Sequence, residues 1–160
     1  MKKCRKKATI GLEIHYLTMH TVSKSPRETQ DIAADLARKV VGTKGPVIIT
    51  LKGNLGAGKT TFVQGFIRAL GIKARVKSPT FLLIKHYVLA KKGKNVYHVD
   101  CYRVMKWQEL KPLDIAHILQ DPRNIVLIEW PEKIKKILPK KHISVQLGHH
   151  SPSRRSISIS

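Results

Sequence analysis

The spacing of apolar residues predicts a helix followed by a buried strand in the first third of the chain. Ser25, Pro26 and Glu28 have the form of a capping box with proline at the first helical position. Apolar residues then recur every four positions, which predicts a helix over residues 26–41. Residues 47–51 are a short β-branched run, typical of a strand that is buried on both faces.

The remaining apolar runs predict an alternation of helices and strands. In chain order they predict a helix over 61–70, a hairpin with strands over 81–89 and 95–99 and a basic tip at 91–94, one or two short helices within 107–119, a fully apolar strand over 125–128, a helical turn over 133–138 and an edge strand over 142–147. We find no internal repeat, and the chain is predicted to form one domain over residues 21–148. Residues 1–20 are expected to be a mobile basic extension, and 149–160 a Ser/Arg tail that either forms an edge strand or frays.

A glycine-rich segment lies between the first strand and the helix that follows it. Residues 53–60 match the phosphate-loop pattern G-x-x-x-x-G-K-[ST] in full. Backbone amides of such a loop and the start of its helix surround an anionic phosphate. Lys59 would add a positive charge for the outer phosphates, and Thr60 a hydroxyl for Mg²⁺. The predicted nucleotide-binding residues are Gly53, Asn54, Leu55, Gly56, Ala57, Gly58, Lys59, Thr60 and Thr61.

Strand, glycine loop and helix in this order predict the fold class. We expect an α/β, P-loop NTPase-like three-layer sandwich, in which helices flank a central and largely parallel sheet, with an additional β-hairpin. The segments by which GTPases recognise guanine and sense the γ-phosphate do not occur in the sequence. We therefore expect ATP as the nucleotide.

Two acidic residues follow apolar runs and are candidates for the metal site. Glu129 ends the run at 125–128 in the layout of a Walker B strand, which would bring its carboxylate beside the magnesium. Asp100 follows a second, largely apolar run and competes for this role. We favour Glu129 as the magnesium ligand with Thr60, and the sequence alone does not rank the two acids further.

Composition limits the function classes that need to be considered. The 160 residues contain 31 Lys and Arg against 10 Asp and Glu, a net charge of +21, which is typical either of a nucleic-acid partner or of a lysine-rich proteome. No apolar run is long enough to span a membrane. Two cysteines do not suffice for a disulfide framework, so we expect a cytoplasmic protein.

Four motifs in order resemble one known family. Residues 53–62 (GNLGAGKTTF), 77–81 (KSPTF), 97–103 (YHVDCYR) and 129–131 (EWP) are similar to the TsaE (YjeE) family of bacterial P-loop ATPases in tRNA threonylcarbamoyladenosine biosynthesis. The resemblance covers about residues 25–148.

The resemblance implies roles for particular residues and a set of partners. It implies an Mg²⁺-dependent ATPase that docks on the TsaB–TsaD threonylcarbamoyl-transfer complex and resets it between turnovers. Lys59 would neutralise the phosphates, Thr80 would belong to a switch-like loop with Ser78, and Asp100 would position the attacking water. Trp130 would lie close to the nucleotide or to the partner. Contact with tRNA, indirect or through the basic segments, is also expected.

Two other functions and three structural interpretations stay open at this point. The alternatives are a small-molecule kinase that uses the same loop and a basic RNA-binding protein in which ATP is a structural ligand. His98 is interpreted as a packed core residue, Cys101 as a small buried residue, and His149 with His150 as part of a solvated tail.

Overall fold

The computed structural model describes residues 18–79 and 81–160. The strands are β1 (Met19–Ser23), β2 (Val47–Lys52), β3 (Ile84–Leu89), β4 (Lys94–Asp100), β5 (Asn124–Glu129), β6 (Ile143–His149) and β7 (Arg155–Ile159), and the α-helices are α1 (Pro26–Val40), α2 (Lys59–Ala69) and α3 (Ile115–Gln120). Three 3₁₀ segments cover Ala90–Lys92, Trp107–Leu113 and Pro131–Ile134. Most of the predicted basic extension, residues 1–17, lies outside the described residues, as does Thr80.

The described strands form one seven-stranded sheet in the order β1-β7-β6-β2-β5-β4-β3. The central strands β6, β2, β5 and β4 run parallel. β3 is antiparallel to β4, and β7 is antiparallel to both β6 and β1. The predicted parallel centre and the predicted hairpin with its basic tip are therefore confirmed. At each edge of the sheet the outermost strand, β3 or β1, is antiparallel to its neighbour.

Helical segments cover the two faces of the sheet and give the predicted three layers. Helices α1 and α2 pack against each other on one face, where alternate residues of β2 and β5 such as Ile49 and Leu127 are buried. The intervening residues, such as Ile48 and Val126, are buried on the other face under α3 and the 3₁₀ segments Trp107–Leu113 and Pro131–Ile134. Because both faces are covered, these two strands are apolar over most of their length. No helix of the described chain is long and apolar enough to span a membrane.

The first helix begins where the capping box predicts. Ser25 Oγ accepts a hydrogen bond from the backbone N–H of Glu28 at 3.2 Å, and Pro26 occupies the first helical turn. An N-terminal cap of this kind satisfies an amide that the helix itself leaves without a partner.

Strands near both ends of the described residues belong to the sheet, which therefore extends into the segments predicted as an extension and a tail. Met19 and His20 pair with Ile159 and Ser158, so the sheet begins within the predicted 1–20 extension. The strand predicted for the 149–160 tail is present as β7, but it is internal because β1 pairs along its outer side. Local sequence patterns cannot reveal the pairing of β1 with β7, because the two strands are far apart in the sequence.

Strand β6 is also internal, although an edge strand was predicted for 142–147. It lies between β7 and β2. Its residues alternate because Ile143, Val145 and Leu147 are buried while Gln146 on the opposite face is exposed. The alternation therefore reports that one face of the sheet is uncovered at this point, and not that the strand lacks a neighbour.

The first part of the predicted 81–89 strand is a turn. The amides of Leu82 and Leu83 both donate to the carbonyl of Pro79, at 2.8 and 2.7 Å. Phe81 and Leu82 are 81% and 72% exposed, so β3 begins only at Ile84. An apolar run predicted burial here, and the turn after Pro79 prevents it.

Gly65 of α2 permits the close packing of α1 against α2. A Cβ at this position would lie 2.4 Å from both the Cα and the carbonyl oxygen of Gln30 in α1, and backbone atoms cannot move aside as a flexible side chain can. We expect Gly65→Ala to destabilise the protein by about 1–2 kcal/mol net, because overpacking against backbone atoms costs about 2–3 kcal/mol and the gain in helix propensity returns ~1 kcal/mol. Urea unfolding would measure the change.

Gly42→Ala is the matched control, because a Cβ at Gly42 would meet no atom within 4 Å. It should leave stability unchanged or raise it slightly. Equal stability of the two variants would contradict the close-packing interpretation.

Candidate functional site

The phosphate loop connects the end of β2 to the start of α2, as the motif predicts. Lys59 is the first residue of α2, and Gly58 is its N-cap without a side-chain hydrogen bond. The first amides of a helix have no acceptor within the helix, and they carry the positive end of its dipole. The loop therefore presents backbone N–H groups that suit an anionic ligand.

Gly53 is required by a close approach between this loop and β6. Its φ is +147°, and a Cβ here would lie 2.3 Å from the carbonyl oxygen of Leu147. Any side chain at this position would push the loop away from the sheet. The first glycine of the motif therefore fixes where the loop lies.

Lys59 is buried with its ammonium inside the loop. Its Nζ donates to the carbonyl oxygens of Gly53 at 2.7 Å and Asn54 at 3.0 Å, and it lies 4.1 Å from the centre of the Trp130 ring. Burial lowers the pKa of Lys59, while the nearby carboxylates of Glu129 and Asp100 oppose that shift. The ammonium is thus held at the loop by carbonyls, a ring and two acids.

Thr60 and Glu129 meet at the end of two parallel strands. Leu51 of β2 is the register partner of Glu129 of β5, which brings the acid beside the loop that follows β2. The Thr60 hydroxyl donates to the two carboxylate oxygens of Glu129, at 3.1 and 3.4 Å. The arrangement predicted from the Walker B layout is present in the geometry.

His98 contacts the same carboxylate, and its role was missed in the sequence. Its Nε2 lies 2.8 Å from Oε1 of Glu129, and since a carboxylate only accepts, Nε2 donates. His98 is buried as predicted, but it holds the candidate metal ligand instead of merely filling the core. The period of two along β4 was the available signal, because it places His98 on the same side as Asp100.

Asp100 ends β4 directly beside Glu129, which is its register partner on β5. It is buried, and it accepts hydrogen bonds from the Tyr102 amide at 3.0 Å and from the Ser78 hydroxyl. The segment before Thr80 is thereby joined to the acid, as the switch-like interpretation of Ser78 requires. The next residue, Cys101, is buried as predicted, and burial raises the pKa of its thiol to about 12.

These side chains line a cavity of ≈ 470 Å³ at the carboxyl ends of the central strands. Its lining includes the predicted residues Leu55, Gly56, Gly58, Lys59, Thr60, Thr61, Asp100, Glu129 and Trp130, together with Ser78, Phe81, Tyr102 and Arg103. Gly53 and Asn54 line an adjoining cavity that Trp130 shares. Ala57 is fully buried in the core, so it supports the loop from behind.

The residues present fit magnesium only together with a phosphate ligand. His, Cys, Asp and Glu side chains of the described residues form no group of three or more that could hold a metal. Mg²⁺, however, is commonly held by one or two protein ligands with substrate phosphates and water. The Thr60 hydroxyl and the Glu129 carboxylate form such a partial set.

The chain's last hairpin contacts the outside of the phosphate loop, which the interpretation of 149–160 as a tail did not anticipate. His149 Nε2 lies 3.3 Å from the carbonyl oxygen of Leu55, and Arg155 Nε donates to that of Gly56 at 3.2 Å. Arg155 also donates to carbonyls of the β6–β7 turn, including Ser151 at 3.2 Å. These contacts engage the carbonyl oxygens of two phosphate-loop residues.

Fold and site together define a P-loop NTPase-like α/β protein. In comparison with solved structures, the crystal structure of Bacillus subtilis YdiB superimposes with a TM-score of 0.68 and 28% identity, over 90% of this chain and 85% of that one. Residues 23–157 match the family described as "Threonylcarbamoyl adenosine biosynthesis protein TsaE". The chain belongs to the TsaE family, and the resemblance seen in the sequence is confirmed.

Similar proteins from several bacteria carry the same description, "tRNA threonylcarbamoyladenosine biosynthesis protein TsaE". The protein from Haemophilus influenzae is 38% identical over 112 residues, 70% of this chain and 69% of its own length. The protein from Rickettsia prowazekii is 37% identical over 142 residues, 88% of this chain and 93% of its own. Nearly the full length of the latter protein is thus aligned with this chain.

We expect Arg155→Met to make the phosphate loop more mobile, because it removes the hydrogen bond from the guanidinium to the Gly56 carbonyl and the hydrogen bonds to the carbonyls of the β6–β7 turn. Amide hydrogen exchange should become faster at 53–58 and at 150–154, and stability should fall by about 1 kcal/mol for each hydrogen bond lost. Arg154→Met, at the neighbouring exposed arginine, is the control and should leave both segments unchanged. Equal exchange in the two variants would contradict a role for the Arg155 side chain.

Proposed function

We propose that this chain is an Mg²⁺-dependent ATPase that serves tRNA threonylcarbamoyladenosine biosynthesis by resetting the TsaB–TsaD threonylcarbamoyl-transfer complex between turnovers. The observation that carries the proposal is the contact between the Thr60 hydroxyl and the Glu129 carboxylate, beside the buried Lys59 ammonium. Hydroxyl, carboxylate and ammonium at the start of the helix are the groups that a magnesium–triphosphate complex needs.

Binding of ATP would use the loop amides and Lys59. The ammonium now donates to the carbonyls of Gly53 and Asn54, and it would turn to the β- and γ-phosphates when these enter. Phosphate oxygens are stronger acceptors than neutral carbonyls, so the exchange is favourable. Trp130 borders the cavity next to Lys59 and would lie close to the nucleotide.

Thr60 and Glu129 would hold the magnesium ion, which supplies positive charge to the phosphate oxygens when bound. His98 would keep the Glu129 carboxylate in position, because its Nε2–H occupies one side of Oε1. We regard His98 as a positioning residue, since the carboxylate separates it from the nucleotide site.

Asp100 would orient the attacking water. Its carboxylate lies beside Glu129 at the same edge of the sheet, and its contacts with Ser78 and the Tyr102 amide fix its direction. Through Ser78, the 77–79 segment would sense whether the γ-phosphate is present, with Thr80 contributing to the same loop. A carboxylate that positions water or a hydroxyl is a recurring part of phosphoryl transfer.

Hydrolysis would be slow in the isolated chain. Arg103 borders the cavity, but its guanidinium lies over the Phe81 ring at 4.2 Å, and Phe81 is largely exposed. A partner that covers Phe81 would change the surroundings of Arg103 or supply an arginine of its own. Such an arginine contributes about 10³–10⁵ in rate in related reactions.

Lys59→Ala tests nucleotide binding. Loss of the ammonium should weaken Mg-ATP binding about 10- to 150-fold, because a hydrogen bond to a charged group contributes about 1.5–3 kcal/mol. Titration calorimetry would measure the change. Lys44→Ala is the matched control, since Lys44 is exposed and precedes β2 at the end opposite the loop. Unchanged binding in the folded Lys59 variant would contradict the proposal.

Steady-state phosphate release tests the proposed reaction. We expect slow release by the chain with Mg-ATP alone and at least a tenfold increase on adding TsaB–TsaD, with both rates abolished by Lys59→Ala. Rapid release without partners would contradict the partner-dependent mechanism. Formation of ADP that requires a small-molecule acceptor, with the phosphoryl group on the acceptor and no free phosphate, would support the kinase alternative. A Lys59→Ala variant that still restores the modification in cells would leave ATP as a structural ligand only.

A further inference from the structure

A basic groove extends from the phosphate loop across the face of the sheet opposite α1 and α2. It consists of two adjoining cavities of ≈ 590 and ≈ 770 Å³, which share Glu132 and Lys135 in their linings. The first also includes Gly53 and Asn54, and the second reaches the 3₁₀ segment Trp107–Leu113. The lysines that line this basic groove are Lys52, Lys106, Lys133, Lys135, Lys136 and Lys140.

The charge of the basic groove is strongly unbalanced. All of its lysines are exposed, and Glu132 is the carboxylate residue in the two linings. The chain as a whole has about three basic residues for each acid, so this surface is more one-sided than the average. A row of ammonium groups along a concave surface attracts a polyanion of matching length.

Aromatic rings are interleaved with these lysines. Trp130 lines the first cavity and Trp107 lines the second, and they are the two tryptophans of the sequence. Trp107 is half-buried against the core, and Lys111 Nζ lies over its ring at 5.2 Å from the ring centre. Indole faces next to cations are typical of surfaces on which nucleic-acid bases stack.

We propose that the basic groove binds single-stranded RNA, with the lysines contacting phosphates and Trp107 stacking on a base. An acidic protein segment would satisfy the lysines, but it would gain nothing comparable from the indole rings. The proposal goes beyond ATP hydrolysis and does not depend on it, because none of the groove's lysines lines the cavity that contains Lys59. The new element is the defined surface, since the basic segments of the sequence indicated RNA contact without a location.

A charge-reversal pair tests the proposal in the full chain without nucleotide. Fluorescence anisotropy with a labelled 20-nucleotide RNA of mixed sequence would give Kd as a function of salt. We expect the double variant Lys133→Glu/Lys136→Glu to raise Kd about tenfold or more at 0.1 M salt. The slope of the logarithm of the binding constant against the logarithm of salt concentration should become shallower by about 1.4, because each of the two lost phosphate contacts on a single strand contributes about 0.7.

Lys91→Glu/Lys92→Glu is the matched control. It makes the same change in net charge, but its lysines lie at the tip of the β3–β4 hairpin, at the amino end of β4. The phosphate loop and the groove lie at the carboxyl ends of the parallel strands, so the tip is at the opposite end of the sheet. Less than a threefold effect is expected, and equal weakening by both pairs would overturn the proposal in favour of non-specific attraction.

Tryptophan fluorescence reports on the groove directly. RNA should quench the emission of the unmodified chain, and Trp107→Leu should remove part of the quenching and raise Kd severalfold at constant charge. Polyglutamate of similar length serves as the competing polyanion. Quenching and displacement by polyglutamate equal to those by RNA would overturn the proposal, since they would identify a surface for acidic proteins. The calorimetric measurement of Mg-ATP binding is separate, so failure here leaves the proposed ATPase untouched.

Discussion

Parallel pairing of β2 with β5 is the constraint on which the candidate site depends. Both strands are buried on two faces, so their register is held by packing from helices on each side. That register sets Leu51 against Glu129, and the loop after one strand therefore meets the acid that ends the other. A shift by one residue would turn the carboxylate toward the opposite face and separate it from Thr60.

The site places three charged side chains in the buried part of the molecule, where an unpaired charge is unfavourable. Lys59, Asp100 and Glu129 are each at most 5% exposed, and each is held by hydrogen bonds from or to groups nearby. Buried charges are tolerated when they are paired and hydrogen-bonded. Their number at one edge of the sheet indicates a site prepared for a charged ligand, because packing alone would be served better by apolar side chains.

Contacts from the chain's end support the loop from outside. Gly53 lies against Leu147 of β6, and Arg155 of β7 reaches Gly56. The hairpin β6–β7 therefore links the phosphate loop to β1 at the edge of the sheet. The loop between β2 and α2, residues 53–58, also borders the basic groove through Gly53 and Asn54. This one segment therefore contributes to both the candidate nucleotide cavity and the candidate RNA surface.

Local chemistry is what the sequence determined by itself. The phosphate loop, the capping box at Ser25, the central strands and the acid that ends β5 were all predictable, since each depends on neighbouring residues whose spacing matches the geometry of a turn, a helix or a strand. The proximity of the site residues in space follows from one strand pairing that the Walker B layout already indicated.

Only the tertiary structure decided what depends on residues far apart in the chain. The pairing of β1 with β7, the internal position of β6 and the contact of Arg155 with Gly56 depend on segments that carry no local signal of their contact. For His98 the period of two along β4 indicated only the side of the sheet, and its partner Glu129 became known from the structure. The turn at Phe81 shows the same limit, because an apolar run predicts burial only if another element covers it. Burial and contact each need a second segment of the folded chain, and a short stretch of sequence carries no information about which segment that will be.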